Sequence, residues 1–192
     1  MTHPLFEKHR ATLESALNAI STRGYWSAFP EMPSPKLYGE TAPDDGKRAF
    51  DAHLGKRFEL DQPGQTGWHG GEDSPYGVAL DVSYPVCDPE ALIAAGLDAM
   101  KGWQAVGADG RTGICLEILE RLNKQSFEIA HAVMMTTGQG WMMAFQAGGP
   151  HAQDRGLEAV TYAWREQNFV PAETTWEKPQ GKNPPLVMKK HF

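Results

Sequence analysis

A nucleophilic thiol needs a depressed pKa or an adjacent base, and a helix N-terminus is one place that supplies the first. Cys87 precedes Asp88-Pro89-Glu90 and holds that position, whereas Cys115 abuts the apolar stripe of a helix and reads as packing. Cys87 has a structural reading as well. With Leu92 it occupies the two positions of a hydrophobic staple, where free cysteine behaves as a small hydrophobe. The 7 histidines show no HExxH or HxH spacing and none lies near both cysteines, so no metal site is expected. His151 follows Gly148-Gly149-Pro150 and precedes Gln153, Asp154 and Arg155. Such a polar cluster at a helix start either holds a substrate carbonyl or carboxylate, or caps the helix. Met134, Met135, Met142 and Met143 beside Trp141 and Phe145 suit an adaptable apolar tunnel or ordinary helical core. No GxGxxG or GxxxxGKS/T follows a predicted strand, and Gly67, Gly70 and Gly71 read as a hairpin signal.

Helices must position most of these groups. Thr2 caps the first, Pro4 opens it, Phe6, Leu13, Leu17 and Ile20 share one face, and Gly24 ends it. Pro30, Pro33 and Pro35 argue against a helix over Tyr25 to Tyr38, which reads as an extended wrap anchored by Tyr25, Trp26 and Phe29. A short helix is predicted from Pro43 to Leu54. Val78, Leu80, Val82 and Tyr84 alternate with polar or small residues as a half-buried strand, and Trp68 begins a partner strand.

From Asp88 to Gln167 the chain reads as helices. Asp88 caps the first, whose Ala91, Ala94, Ala95 and Ala99 admit a close neighbour. The next, near Arg111 to Asn123, turns Ile114, Ile118, Leu119 and Leu122 inward and carries Glu117–Arg121 and Glu120–Lys124 pairs. Ser126 caps a third that Gly138 closes. Leu157, Val160, Thr161 and Trp164 mark the core face of the last, and Leu186-Val187-Met188 begins a strand with no evident partner.

The 192 residues are 41% hydrophobic, enough for a sizeable core, which excludes a disordered tail. A formal charge of -6 opposes a nucleic-acid role, and Lys178, Lys182, Lys189 and Lys190 read as a solvated end. No run has the length of a membrane span and no secretory signal pattern is present, so a cytoplasmic protein with reduced thiols and no membrane or nucleic-acid partner is expected.

Longer runs carry a resemblance. Ala91–Ala99, Trp103, Arg111, Ile114 to Leu122, Ala130 and Thr137-Gly138-Gln139 resemble the N-terminal helical region of aldehyde dehydrogenases, with Gln139 where a lysine is usual. His3-Pro4-Leu5-Phe6-Glu7-Lys8-His9, the run 23–30, Ser74-Pro75-Tyr76-Gly77, the run 144–159 and the run 176–182 are similar to the PaaN-type enzymes of phenylacetic acid degradation. The resemblance implies the α/β fold of that family, with 1–192 as its N-terminal part, mostly α-helical with a few strands. Within it, 1–57 is a helical, wrapping extension, 58–86 holds strands, 87–168 is a helical core and 169–192 is an extended tail.

It further implies oxidation of an aldehyde, a coenzyme A-linked semialdehyde of aromatic catabolism, with NAD or NADP in a homo-oligomeric complete enzyme. In that family a cysteine thiolate attacks the aldehyde, hydride passes to the nicotinamide, and water releases the acid with help from a glutamate base. Neither Cys87 nor Cys115 matches the nucleophile, so the truncated chain is expected to be inactive alone, with no catalytic residue and no cofactor of its own. By analogy Phe145, Gln146, His151 and Gln153 form part of the substrate-tunnel wall. The alternative is a non-catalytic binding or interaction module derived from the same region.

Overall fold

The computed structural model describes residues 3–171, 173–178 and 186–191. Helix α1 spans Pro4–Thr22, and its cap is His3, whose Nδ1 accepts from the Leu5 amide at 3.3 Å. Proline at the first helical position fixes the cap one residue before it, so the capping role expected of Thr2 falls to His3; Thr2 lies outside the described residues. Of the three aromatic anchors expected for the following wrap, only Phe29 is buried. Tyr25 is 91% exposed and Trp26 39%, so neither anchors it. The prolines do not exclude a helix there: Pro35 opens the short helix α2, Pro35–Tyr38, capped by Ser34. Helix α3 is Ala42–Asp51, ending a turn short of Leu54.

Strands β1, Gln65–Gly70, and β2, Ser83–Cys87, pair antiparallel, with Trp68 opposite Pro85. The strand predicted to begin at Val78 starts at Ser83 instead. Asp81 is left-handed, φ 50°, and interrupts the alternation, while Leu80 and Val82 are still buried. Val78 and Tyr84, expected on the same inward face, are exposed, so the predicted alternation holds only at Leu80 and Val82.

Helix α4, Pro89–Ala105, begins as expected, with Asp88 Oδ1 accepting from the Glu90 amide at 3.1 Å. Its small residues meet little. A Cβ on Gly64 would lie 2.4 Å from Ala91 Cβ, which marks the close neighbour at the first turn. No residue of α4 is buried, and Ile93 and Leu97 are each 62% exposed.

Helix α5, Gly107–Lys124, buries Gly110, Thr112, Gly113 and Leu116, with Leu119 flanking the core; Ile118 and Leu122 point outward, contrary to the predicted face. The rotation follows from how near α1 comes. A Cβ on Gly113 would meet the Phe6 backbone nitrogen at 2.3 Å, so only glycine permits this crossing. Helix α6, Ser126–Thr137, starts at Ser126 itself, which is buried and not a cap, and Gly138 closes it. Helices α7, Trp141–Gly148, and α8, Pro150–Gln167, follow.

Strands β3, Glu173–Lys178, and β4, Leu186–His191, pair antiparallel. The strand at Leu186 therefore has a partner, which the proline-rich run before it concealed. Lys178, Lys189 and Lys190 stand in these strands, and Lys182 lies outside the described residues.

Three apolar clusters hold the helices. Phe6, Leu13 and Ala16 of α1 join Phe29, Leu116 and Leu157, so the N-terminal helix is part of the main core. Phe50, Leu80 and Val82 form the second, and Phe127, Ala130 and Phe145 the third. Each buried Leu or Phe stabilises the fold by roughly 2 kcal/mol.

Candidate functional site

The four expected wall residues lie on α7 and the first turn of α8, and they face two ways. Phe145 is fully buried, its ring 5.0 Å from Phe127 and edge-on to Tyr38 at 5.6 Å. Gln153 is buried as well. Its Oε1 accepts from Asn123 Nδ2 at 2.8 Å and its Nε2 donates to Ser126 Oγ at 3.3 Å. The buried amide is thus satisfied, as a desolvated polar group must be. Tyr38 completes the chain, accepting from Asn123 at 3.3 Å and donating to the Pro30 carbonyl at 2.6 Å. Burial pushes its phenol pKa up, and the Asn123 bond works against this.

Gln146 and His151 turn the other way and converge on Glu31. Gln146 Nε2 donates to the Glu31 carbonyl at 3.5 Å, and His151 Nε2 lies 3.1 Å from Glu31 Oε1. Glu31 was not legible as a site residue, because nothing in a proline-flanked wrap says which helix it touches. The remaining polar residues at the α8 start disperse: Asp154 accepts from Ser27 Oγ at 2.6 Å, and Arg155 pairs with Glu158 at 2.6 Å. None caps α8. The methionines also divide, with Met135 packed on the Phe50 cluster and Met142 and Met143 exposed.

Both cysteines are free and half-buried. His131 lies over Trp141 at 4.4 Å and near Phe50 at 6.0 Å. Burial lowers its pKa and nearby Lys47 adds to this, so the imidazole stays neutral further into acid than an ordinary histidine.

One group among the described residues has metal-like spacing. Ligand atoms of His9, Glu117 and Glu120 lie within 4.8 Å of one another. Cations already hold these carboxylates: Lys8 Nζ is 2.6 Å from Glu117 and 3.0 Å from Glu120, Arg121 is 2.9 Å from Glu117, and Lys124 is 2.6 Å from Glu120. His9 Nε2 joins Glu117 at 2.8 Å. The cluster is an ion-pair network clamping α1 to α5.

Hydrogen bonds from Lys8, then Arg121 and His9, hold the Glu117 pKa down at about 2, against an ordinary 4.5. A carboxyl depressed on folding contributes stability that is present above about 4.5 and lost as pH falls through about 2. Glu117→Gln should therefore flatten the acid limb of stability between those values, as measured by urea midpoints against pH. A parallel limb in wild type and variant would contradict this.

No helix among the described residues is long and apolar enough to cross a membrane. No protein-family model and no curated protein matches the chain. Over its whole length the chain is similar to a crystal structure of an NAD-dependent aldehyde dehydrogenase from Burkholderia multivorans, at 62% identity with a TM-score of 0.95. The chain spans 34% of that protein's length. Its fold is the fold of that portion of an aldehyde dehydrogenase.

Proposed function

We propose that this chain supplies the N-terminal third of a PaaN-type aldehyde dehydrogenase, oxidising a coenzyme A-linked semialdehyde of phenylacetate breakdown to the acid. The observation that carries the family reading is 62% identity maintained over the full chain at a TM-score of 0.95. The runs 23–30 and 144–159 support the narrower PaaN-type reading by resemblance. The exposed apolar length of α4 supports it physically, since such surface is normally covered by further protein.

NAD or NADP, when bound, accepts the hydride. The described residues do not fit it: Gly67 and Gly70 lie on β1, paired to β2, and form no phosphate cradle at a helix start. In this reading other segments of the enzyme hold the cofactor, nucleophile and base, and Cys87 and Cys115 take no part in the chemistry. What this chain contributes is shape. Gln146, His151 and Glu31 form the outward part of the substrate-entrance wall, and the buried Phe145 and Gln153 support it. A cytoplasmic homo-oligomer completes the reading.

The test is a chimera in which these 192 residues replace the matching part of the Burkholderia multivorans enzyme. It should form NADH from an aldehyde at a rate within about tenfold of the parent, about 1.4 kcal/mol in barrier. A folded but inactive chimera would overturn the reading, and so would aldehyde turnover by the 192-residue chain alone. The non-catalytic module is favoured by the main core, which closes around α1, α5 and α8 without α4. It predicts a cooperatively folded chain whose chimera has no activity.

A further inference from the structure

The C-terminal half of α1, the turn after it and α8 line an open cavity of about 510 Å3. Small-molecule sites occupy roughly 300–1,000 Å3, so the size suits a compact organic ligand. Its lining is mixed: Ala16, Ala19, Ile20 and Leu157 supply aliphatic surface, and Trp26 and Tyr162 supply aromatic surface, beside charged side chains. Arg23 stands on the rim. This residue is left-handed, φ 53°, and ends α1 three residues before Trp26, which also lines the cavity.

The rim charges are almost all committed. Arg155 is held by Glu158 at 2.6 Å, and Arg165 by Glu166 at 2.6 Å, with its guanidinium 4.9 Å above the Tyr162 ring. Asp154 accepts from Ser27 at 2.6 Å, a bond that joins the run 23–30 to the run 144–159. Arg23 differs: among the described residues its guanidinium has no ion-pair or side-chain hydrogen-bond partner. Of the three arginines that line the cavity, Arg23 is thus the one without a partner among the described residues.

We propose that this cavity binds a small amphipathic monocarboxylate. The carboxylate pairs with the Arg23 guanidinium, whose planar fork matches two carboxylate oxygens. The apolar tail lies against the aliphatic and aromatic surface of the lining. One uncommitted guanidinium suits one carboxylate, whereas a phosphate dianion calls for more free cations than the rim supplies. The site is independent of the aldehyde dehydrogenase reading, so either can fail without the other.

Hexanoate is the probe, with the Trp26 indole N–H resonance in ¹⁵N-labelled chain as the readout. Saturable shifts of that resonance are expected with millimolar hexanoate. Acetate, which lacks the tail, and hexanol, which lacks the charge, should each bind at least about tenfold more weakly, as a lost charge-assisted pair or lost apolar burial implies. Arg23→Gln should weaken hexanoate by a similar factor and Arg23→Lys by less. Ala19→Leu, which fills the cavity without altering a charge, should abolish binding and serves if the arginine variant misfolds. A motionless Trp26 resonance, hexanol matching hexanoate, or folded variants that bind like wild type would each overturn the proposal.

Discussion

Phe145→Ala is expected to destabilise the protein by about 4 kcal/mol, the cost of deleting a fully enclosed aromatic ring together with the cavity it leaves. Phe145 is completely buried, and its ring touches Phe127, Tyr38 and Trp141 at centroid distances of 5.0, 5.6 and 6.5 Å. No neighbour can collapse into the gap cheaply, because Ala130 and Ala144 beside it are themselves fully buried. Urea unfolding measures the effect. Met143→Ala, two residues away and exposed, should stay within about 0.5 kcal/mol. A loss below about 1 kcal/mol at Phe145 would mean that the ring packs loosely and is available to a ligand.

The second large effect lies at the α1–α5 crossing. A Cβ on Gly113 would stand 2.3 Å from the Phe6 nitrogen, 2.7 Å from the Leu5 carbonyl carbon and 2.8 Å from Phe6 Cα. All three are backbone atoms, so no rotamer change relieves the clash and α1 must move away from α5. Gly113→Ala should cost about 3 kcal/mol, larger than the gain of about 1 kcal/mol that alanine brings to a helix interior. Gly102→Ala in α4 isolates that gain. Its Cβ would meet nothing within 4 Å, so the same substitution should stabilise by about 0.5–1 kcal/mol. Thermal melts of the two variants moving in the same direction would refute the crossing geometry.

The sequence was informative where chemistry is local. Asp88, Pro89 and Gly138 marked helix ends correctly because caps depend on residues within one turn. The i,i+4 pairs from Glu117 to Arg121 and from Glu120 to Lys124 were legible for the same reason. It was less informative where a partner far along the chain decides. The inward face of α5 follows α1, and the burial of Gln153 follows Asn123 and Ser126. The resemblance groups Phe145, Gln146, His151 and Gln153 on one wall. Their split between inside and outside depends on where Glu31 sits, which no periodicity in the wrap reveals.

The clamp between α1 and α5 has a kinetic consequence. His9 and Glu117 are 108 positions apart, so the first helix has no docking surface until more than half the chain has been laid down. Closing a loop of that length costs entropy that grows as (3/2)RT ln n, and the contacts that offset it arrive only once α5 and α8 are in register. The adjacent pair α6 and α7 has no such wait. Amide exchange in α1 therefore reports the opening of one late-formed interface, and should respond to Glu117→Gln while α6 remains protected.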